Sequence, residues 1–494
     1  MLSIEQQELL RDKVYKLLWD EGMKIESDEI TAALLKRGCK ESSNGRIKIP
    51  KELIEEMGTS QKKGQAADLK DQELLYKCGP DWAHHIIWNK QQDKMLSRLK
   101  TECLTAAFDC GPTTYYDYQT KKILSVGMDQ FVEMKKFAQA TPEIGYISTW
   151  YRQGVSPKIE RIESLILGLQ YTDKLDGIEA IFPEVIKYLQ EISEILTGRP
   201  GDASYLAGSE CITSPLILES RSCGDILERL KCNIKRYHIA TMPSLGVSTP
   251  ITIAGSVVMM AAELLGGMVA CFVLDPEADI SGRAICLGTD MRNANNAASM
   301  PHTTWANLAT RELFNEWWGG QVWVESFFSP CAKLPGMQAV YENFYGRSMQ
   351  AKLLGRPDIT YPGMGTLNNG GLGSPTQFML DLEIRKSLLA VQDTITVEEE
   401  TFPFDEICEI TRTDGNFMMS DHTLKHCHGL WNSQLFLTED PDVGRWAGDE
   451  KAILDQCDEM WRENVKKWEP PELDKDKLKA MEGVLARAKK DLLK

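Results

Sequence analysis

Six aromatic residues crowd between positions 305 and 328: Trp305, Trp317, Trp318, Trp323, Phe327 and Phe328. Aromatic ring faces attract diffuse positive charge, so a ring at the end of a strand suits a ligand bearing a quaternary ammonium group. Phe327 and Phe328 close a β-prone run that opens after Gly319-Gly320 and breaks at Pro330. Neighbours on a strand point to opposite faces, so one of the two is expected to meet a ligand. Trp317 and Trp318 stand at the end of a helical pattern and read first as core. A second feature is the stretch 363–375, with glycines at 363, 365, 370, 371 and 373. Such a loop lets the backbone approach a ligand closely, although it lacks the Gly-Lys-Ser/Thr of a phosphate-binding loop and reads equally well as plain flexible chain. Third, His422, His426 and His428 lie together around Cys427. On a helix, 422 and 426 share a face, as metal ligands would. No His-Glu-x-x-His accompanies them, and helix-end or core roles suit them better, so no metal is expected. There is no Gly-x-Ser-x-Gly elbow, no nucleotide fingerprint after a strand and no zinc-type cysteine spacing. The chain offers neither a nucleophile nor a cofactor site of its own.

The elements that would position these residues alternate. Strands are expected at 144–149, 205–208, 239–242, 268–274, 284–287, 322–327 and 359–361. Helices are expected at 158–175, 183–196, 219–237, 251–265, 304–318, 337–354 and 376–390. Strands that alternate with helices of this length argue for βαβ units and a parallel sheet. This number of units in series favours an α/β fold of the closed (β/α)8 TIM-barrel type over an open sheet. Ligands of such folds sit where strand ends run into loops, and the strand ends near 205–215, 239–250, 319–335 and 359–375 are expected to converge on one pocket. Ahead of the barrel, residues 3–37 carry two amphipathic helical patterns, with Gly22 stopping the first. A short strand at 46–49 leads to a helix that Pro50 starts, and 59–75 is unpatterned. A hairpin at 115–122 leads to a helix at 128–140. The domain reading is an N-terminal helical segment (1–75) packing on a barrel core (76–400), with a C-terminal extension (401–494) whose last part is a charged helix hinged at Pro470-Pro471.

Composition bounds the rest. The 494 residues are 43% hydrophobic and 26% charged, ordinary for a globular enzyme. The net charge of −16 and the lack of a basic run argue against nucleic acid as a partner. Thirteen scattered cysteines, with no Cys-x-x-Cys, read as reduced thiols in a cytoplasmic protein. The first residues show no basic start followed by an apolar run, so no secretory signal is expected. The apolar stretches 251–262 and 268–274, separated by Glu263, are each too short to cross a bilayer.

Certain motifs carry a family resemblance. Met242-Pro243-Ser244-Leu245-Gly246-Val247-Ser248-Thr249-Pro250, running on to Ala254-Gly255, resembles the turn and helix start of the trimethylamine methyltransferase family. Glu263-Leu264-Leu265-Gly266-Gly267, Tyr361-Pro362-Gly363-Met364-Gly365 and Arg46-Ile47-Lys48-Ile49-Pro50 resemble further motifs of that family in the same order. The resemblance implies a (β/α)8 barrel that moves a methyl group from an amine to the cobalt of a separate corrinoid protein. Family members acting on trimethylamine carry pyrrolysine shortly before an Ala-Lys-x-Pro. Here that motif is Ala332-Lys333-Leu334-Pro335, and the pyrrolysine position falls at or next to Phe328. The chain therefore resembles the branch without pyrrolysine, similar to glycine betaine:corrinoid methyltransferases.

The loss has a chemical rationale. A quaternary amine already carries its charge and leaves as a neutral tertiary amine, so no catalytic residue beyond orientation is required. Phe327, Phe328, Trp323 and Trp305 are candidates for the cation box. His302, Asn368, Asn369, Thr366 and Ser244 are candidate donors to a carboxylate. The chain is expected to bind no cofactor itself, to meet a cognate corrinoid protein and to form a homo-oligomer. Two other readings compete: a metal-dependent barrel lyase or hydrolase using His422, His426 and His428, and a non-catalytic quaternary-ammonium-binding protein.

Overall fold

The computed structural model describes residues 2–61, 106–108, 111–319, 321–326, 329–353, 364–392, 397–413, 415–436 and 449–494. The strands of its parallel ladder follow one another in chain order. β1 (Ala106–Phe108) pairs in parallel with β2 (Ile144–Ile147). β3 (Ile178–Glu179) pairs in parallel with β4 (Leu206–Ala207). β5 (Glu210–Ile212), β6 (Arg236–Thr241), β7 (Asp279–Ala284) and β8 (Trp323–Ser326) form one parallel ladder in that order. A bridge from Ile147 to Leu175 links the first pair to the segment that enters β3. Gly208, at φ +100°, separates β4 from β5 and bends one run into two. Consecutive parallel neighbours require crossover helices, and the chain supplies them. They are α4 (Met128–Ala140), α5 (Pro157–Leu169), α6 (Ile186–Thr197), α7 (Ser220–Lys231), α8 (Ile253–Leu274), α9 (Pro301–Trp317), α10 (Met337–Leu353) and α11 (Pro375–Gln392). The fold is mixed α/β with a parallel ladder. Ring closure is not seen among the described residues, and the strand expected at 359–361 lies outside them.

Alternation along the strands separates two faces. Tyr237, Ile239, Ile280 and Val324 are buried in one apolar cluster with α8 and α9. Ile144, Ile147, Ile178 and Leu206 belong to a second cluster with Phe137 of α4, Phe378 of α11 and Trp461. These residues define the outer face. The alternate positions, Glu179, Cys211, His238, Ser281 and Arg283, stand on the inner face.

Besides the helix expected at 158–175, which ends at Leu169, three sequence expectations need correction. Residues 268–274 are not a strand; they are the second half of α8, a continuous helix from Ile253 to Leu274. Gly266-Gly267 reads as a break because glycine weakens a helix. Here the missing side chains let the helix lie directly on its neighbours. A Cβ at Gly267 would stand 2.8 Å from Ile239 Cγ2, and one at Gly266 2.4 Å from Met23 Sδ. The two apolar stretches thus fuse into one helix that is long and apolar enough to cross a membrane, with 78% of its most apolar window buried inside the protein. Second, the helix expected at 219–237 ends at Lys231, where Asn233 turns at φ 54° and Tyr237 becomes part of β6. Third, the strand expected at 284–287 runs instead over Asp279–Ala284; Gly282 and Arg283 hid it by breaking the apolar pattern.

The N-terminal helices α1 (Ile4–Asp20), α2 (Asp28–Lys36) and α3 (Lys51–Ser60) pack around α8. Ser3 caps α1 in a capping box with Gln6. Trp317 and Trp318 are stacked core residues, with ring centroids 4.7 Å apart. Both indole N–H groups donate to Glu55 of α3, at 3.2 and 3.1 Å. After α11 come two short exposed helices, α12 (Phe404–Arg412) and α13 (Asp421–His426), and then α14 (Asp449–Lys466) and α15 (Lys475–Leu492). α14 packs on α11 and α4, and α15 on α5 and α6.

Candidate functional site

The loops that leave the carboxyl ends of β6, β7 and β8 are stitched together. The 243–249 turn bridges to the β7 loop through Ser244 and Leu287, and the Ser244 N–H donates to Ser248 Oγ at 2.9 Å. The β7 loop meets the β8 loop where the Ser299 N–H donates to Cys331 Sγ at 3.1 Å. Cys331 Sγ in turn donates to Asn369 Oδ1 at 3.2 Å, and Asn369 Oδ1 also accepts from the Ala298 N–H at 3.4 Å. The backbone N–H groups of Asn368 and Asn369 donate to the carbonyls of Ala332 and Pro330, each at 2.8 Å. Glu342 of α10 holds the β8 loop from behind, its Oε2 accepting from the N–H groups of Cys331 at 2.6 Å and Ala332 at 2.9 Å. Asn368 and Asn369 adopt positive φ values of 49° and 57°, which asparagine tolerates.

The candidate donors therefore divide. Asn369, Asn368 and Ser244 sit within this loop cluster. The Asn368 amide oxygen already accepts from Lys333 Nζ. Thr366 is buried at the start of the glycine-rich hairpin, where it pairs with Gly373. His302 stands exposed in the first turn of α9, and Trp305, one turn further on, is 39% exposed. Trp323 lies in β8 in register with Ser281. Phe327 and Phe328 lie outside the described residues. His422 and His426 have ring centroids 4.4 Å apart on the short α13, which buries none of its residues. Among the described residues no group of three or more His, Cys, Asp or Glu side chains is gathered as for a metal ion.

The inner face carries polar residues that the sequence reading passed over. Glu179 ends β3, and its carboxylate accepts a hydrogen bond from the Tyr151 hydroxyl at 3.0 Å. The Arg161 guanidinium lies 3.9 Å from the centroid of the Tyr151 ring. Arg161 is itself fixed by the Thr149 and Trp150 carbonyls, at 3.1 and 3.0 Å, and by Glu160. Burial, then the negative charge of Glu179, hold the Tyr151 phenol well above its ordinary range. The same two causes push the Cys211 thiol up to about 11. Cys211, Ala240 and Arg283 form one register row across β5, β6 and β7. Beneath that row His238 Nδ1 and Ser281 Oγ share a 2.7 Å hydrogen bond, and both residues are buried. Glu179, Tyr151, Cys211 and Arg283 are only half-buried, whereas His238 and Ser281 are buried. A signal for these residues was present: Glu179, His238 and Arg283 are polar residues at alternate positions of otherwise apolar strands. On a strand covered by helices on one face, such residues must look the other way.

Behind the sheet, Glu210 pairs with Arg229 of α7 at 2.6 Å and accepts from the His238 N–H at 3.2 Å. Asp225 of α7 is raised to about 7, by burial first and then by the charge of Glu210.

A family model described as trimethylamine methyltransferase (MTTB) matches residues 98–492. Trimethylamine methyltransferase MttB of Desulfitobacterium hafniense is 26% identical over 225 residues, which is 46% of this chain and 44% of that protein. A proline betaine:corrinoid methyltransferase of Eubacterium limosum is 25% identical over 269 residues, 54% of this chain and 52% of that protein. The chain spans about half the length of the curated relatives it matches. Among solved structures, the monomethylamine methyltransferase (MtmB) of Methanosarcina barkeri is similar over 93% of this chain and 98% of that one, with a TM-score of 0.35 and 11% identity.

Proposed function

The chain belongs to the trimethylamine methyltransferase family, and on that premise we propose that it moves a methyl group from a quaternary amine, glycine betaine first among candidates, to the cobalt of a cognate corrinoid protein. The observation that carries this reading is the family match over 98–492 together with ordinary residues at and around Phe328, at or next to which the pyrrolysine of trimethylamine-specific members would fall. The similarity to a proline betaine:corrinoid methyltransferase supports a quaternary rather than a tertiary amine.

The chemistry asks little of this chain beyond placement. When the methyl–nitrogen bond breaks, its electron pair stays on nitrogen and the amine leaves neutral. The methyl carbon is taken by cobalt(I) on the partner. The protein's part is to desolvate the cation, hold it still and aim one methyl outward. In this reading the strands close as a (β/α)8 barrel, and the loop cluster of Ser244, Asn368 and Asn369 forms the rim of its mouth. Phe327, Phe328, Trp323 and Trp305 would supply ring faces, and His302 and Thr366 further polar contacts. The chain would work in the cytoplasm with no resident cofactor. We also expect a homo-oligomer, because Met418, Met419, Leu424 and Leu430 stand exposed on the α12–α13 segment.

Incubation with cob(I)alamin and, in turn, glycine betaine, proline betaine, carnitine and choline should give the spectrum of methylcob(III)alamin with at least one of them. No spectral change with any of the four would overturn the reading.

A further inference from the structure

We propose that residues 397–436 form an arm that pairs with the same arm of a second copy of this chain, the acidic α12 of one copy lying on the basic end of α13 of the other. The choice of occupant rests on the function proposed above, because it uses where a corrinoid protein must dock. The pairing goes beyond the homo-oligomer expected there by naming the surfaces that meet.

The arm has no core of its own. Between 397 and 434 not one described residue is buried. Among the described residues of the arm, eleven large apolar side chains stand exposed, Phe404, Met418, Met419 and Leu424 by 67% or more. Phe404, Ile407 and Cys408 fall at i, i+3 and i+4 and make one apolar stripe along α12. Helices of nine and six residues are marginal in water by themselves, and a stripe with nothing behind it contributes no burial to hold them. At on the order of 100 Å² apiece, the exposed side chains present roughly 1,000 Å² of apolar surface. A monomer seldom exposes more than about 600 Å² in one patch, whereas a stable complex buries about 800 Å² on each partner.

Two observations name a second copy as the occupant. The first is charge. α12 carries Asp405, Glu406 and Glu409, whereas Lys425 and His426 occupy the last turn of α13. None of these five has an ion-pair partner among the described residues. Under a twofold axis each patch meets its opposite, and does so twice, as an isologous interface requires. The second is position. α11 begins at Pro375, directly after the glycine-rich hairpin of the loop cluster. The arm joins the body further along, at Glu383, whose Oε1 accepts from Ser433 Oγ and from the Gln434 N–H at 2.7 Å each. That is two helical turns, or about 12 Å, from the start of α11. A corrinoid protein has to reach the strand ends, where the loop cluster lies, and it must leave after each transfer. A face shared permanently between copies is the more apolar kind.

Sedimentation velocity on the full chain alone, without corrinoid or substrate, tests the pairing. At low-micromolar concentration the parent should sediment as an assembly of at least two chains of 55.7 kDa. Met419→Asp combined with Leu424→Asp should raise the dissociation constant about a hundredfold or more. It should leave monomers with the circular dichroism of a folded chain, because neither side chain is buried in its own copy. Glu409→Lys and Lys425→Glu should each weaken the assembly about tenfold, and the two together should restore it to within about threefold of the parent, which surface damage alone would not do. A monomeric parent overturns the proposal, whether another part of the chain or the corrinoid protein then covers the arm. So does an assembly that Met419→Asp with Leu424→Asp leaves intact, or a pair of charge variants whose combination does not restore it. None of these readings involves methyl transfer, so the arm can fail while cob(I)alamin is methylated from a betaine, and the reverse.

Discussion

Asp225 shows how far a single side chain departs from what its type suggests. It is a carboxylate on an amphipathic helix, which from sequence alone belongs in water. In the structure it is buried behind the sheet near Glu210, and its Oδ1 has no hydrogen-bond partner. Its folded-state value of about 7 lies above the unfolded value of 3.8. The native state therefore binds the extra proton between these two limits, and stability is lost as pH rises through that window. Asp225→Asn should match the parent's unfolding free energy at pH 4 and exceed it at pH 8 by a few kcal/mol, at about 1.4 kcal/mol for each pH unit between the two values. A difference between variant and parent that stays constant from pH 4 to pH 8 would refute the assignment. At this scale the sequence was partly legible. The Trp317-Trp318 pair read as core and is stacked core. Glu179 and Arg283 went unnoticed because charge in a sequence looks like surface until the sheet gives it a face.

α8 makes the corresponding point for elements. Its apolar content was plain, but its two glycines split it into a helix and a strand. Propensity scales charge about 1 kcal/mol for a mid-helix glycine, and that is small beside the burial of an entire helix face. The glycines are there for approach distance. Gly267→Ala should cost on the order of 1–3 kcal/mol in a urea titration, since its Cβ would meet Ile239 and Ile212 at 2.8 and 3.0 Å. An alanine variant as stable as the parent would show that the helix stands further from the sheet. By contrast, α4 falls on Met128–Ala140, the span its spacing suggested, because no neighbouring element competes for those residues. The hairpin of Thr114–Asp117 and Lys122–Ser125 was likewise readable from its turn.

At the scale of the whole molecule, the charged C-terminal helices are more than a solvated tail. α15 buries Met481, Val484 and Ala488 against α5 and α6, and Tyr188 donates to Asp491 at 2.8 Å. Met481→Ala should cost about 2–4 kcal/mol as a cavity in a packed seam. Lys489→Ala, which removes a half-exposed ion pair to Glu163 at 2.9 Å, should barely move the unfolding midpoint. Equal effects of the two would mean that charge, not burial, holds the tail. The sequence by itself determined the alternation of strands and helices, the acidic surface and the family, because these depend on periodicity, composition and ordered motifs along the chain. Only the tertiary structure decided which polar residues share the inner face, that α8 is one helix, and that the loops after β7 and β8 meet at Cys331 and Asn369. The physical reason is that these depend on contacts between residues far apart in the chain, which no local pattern encodes.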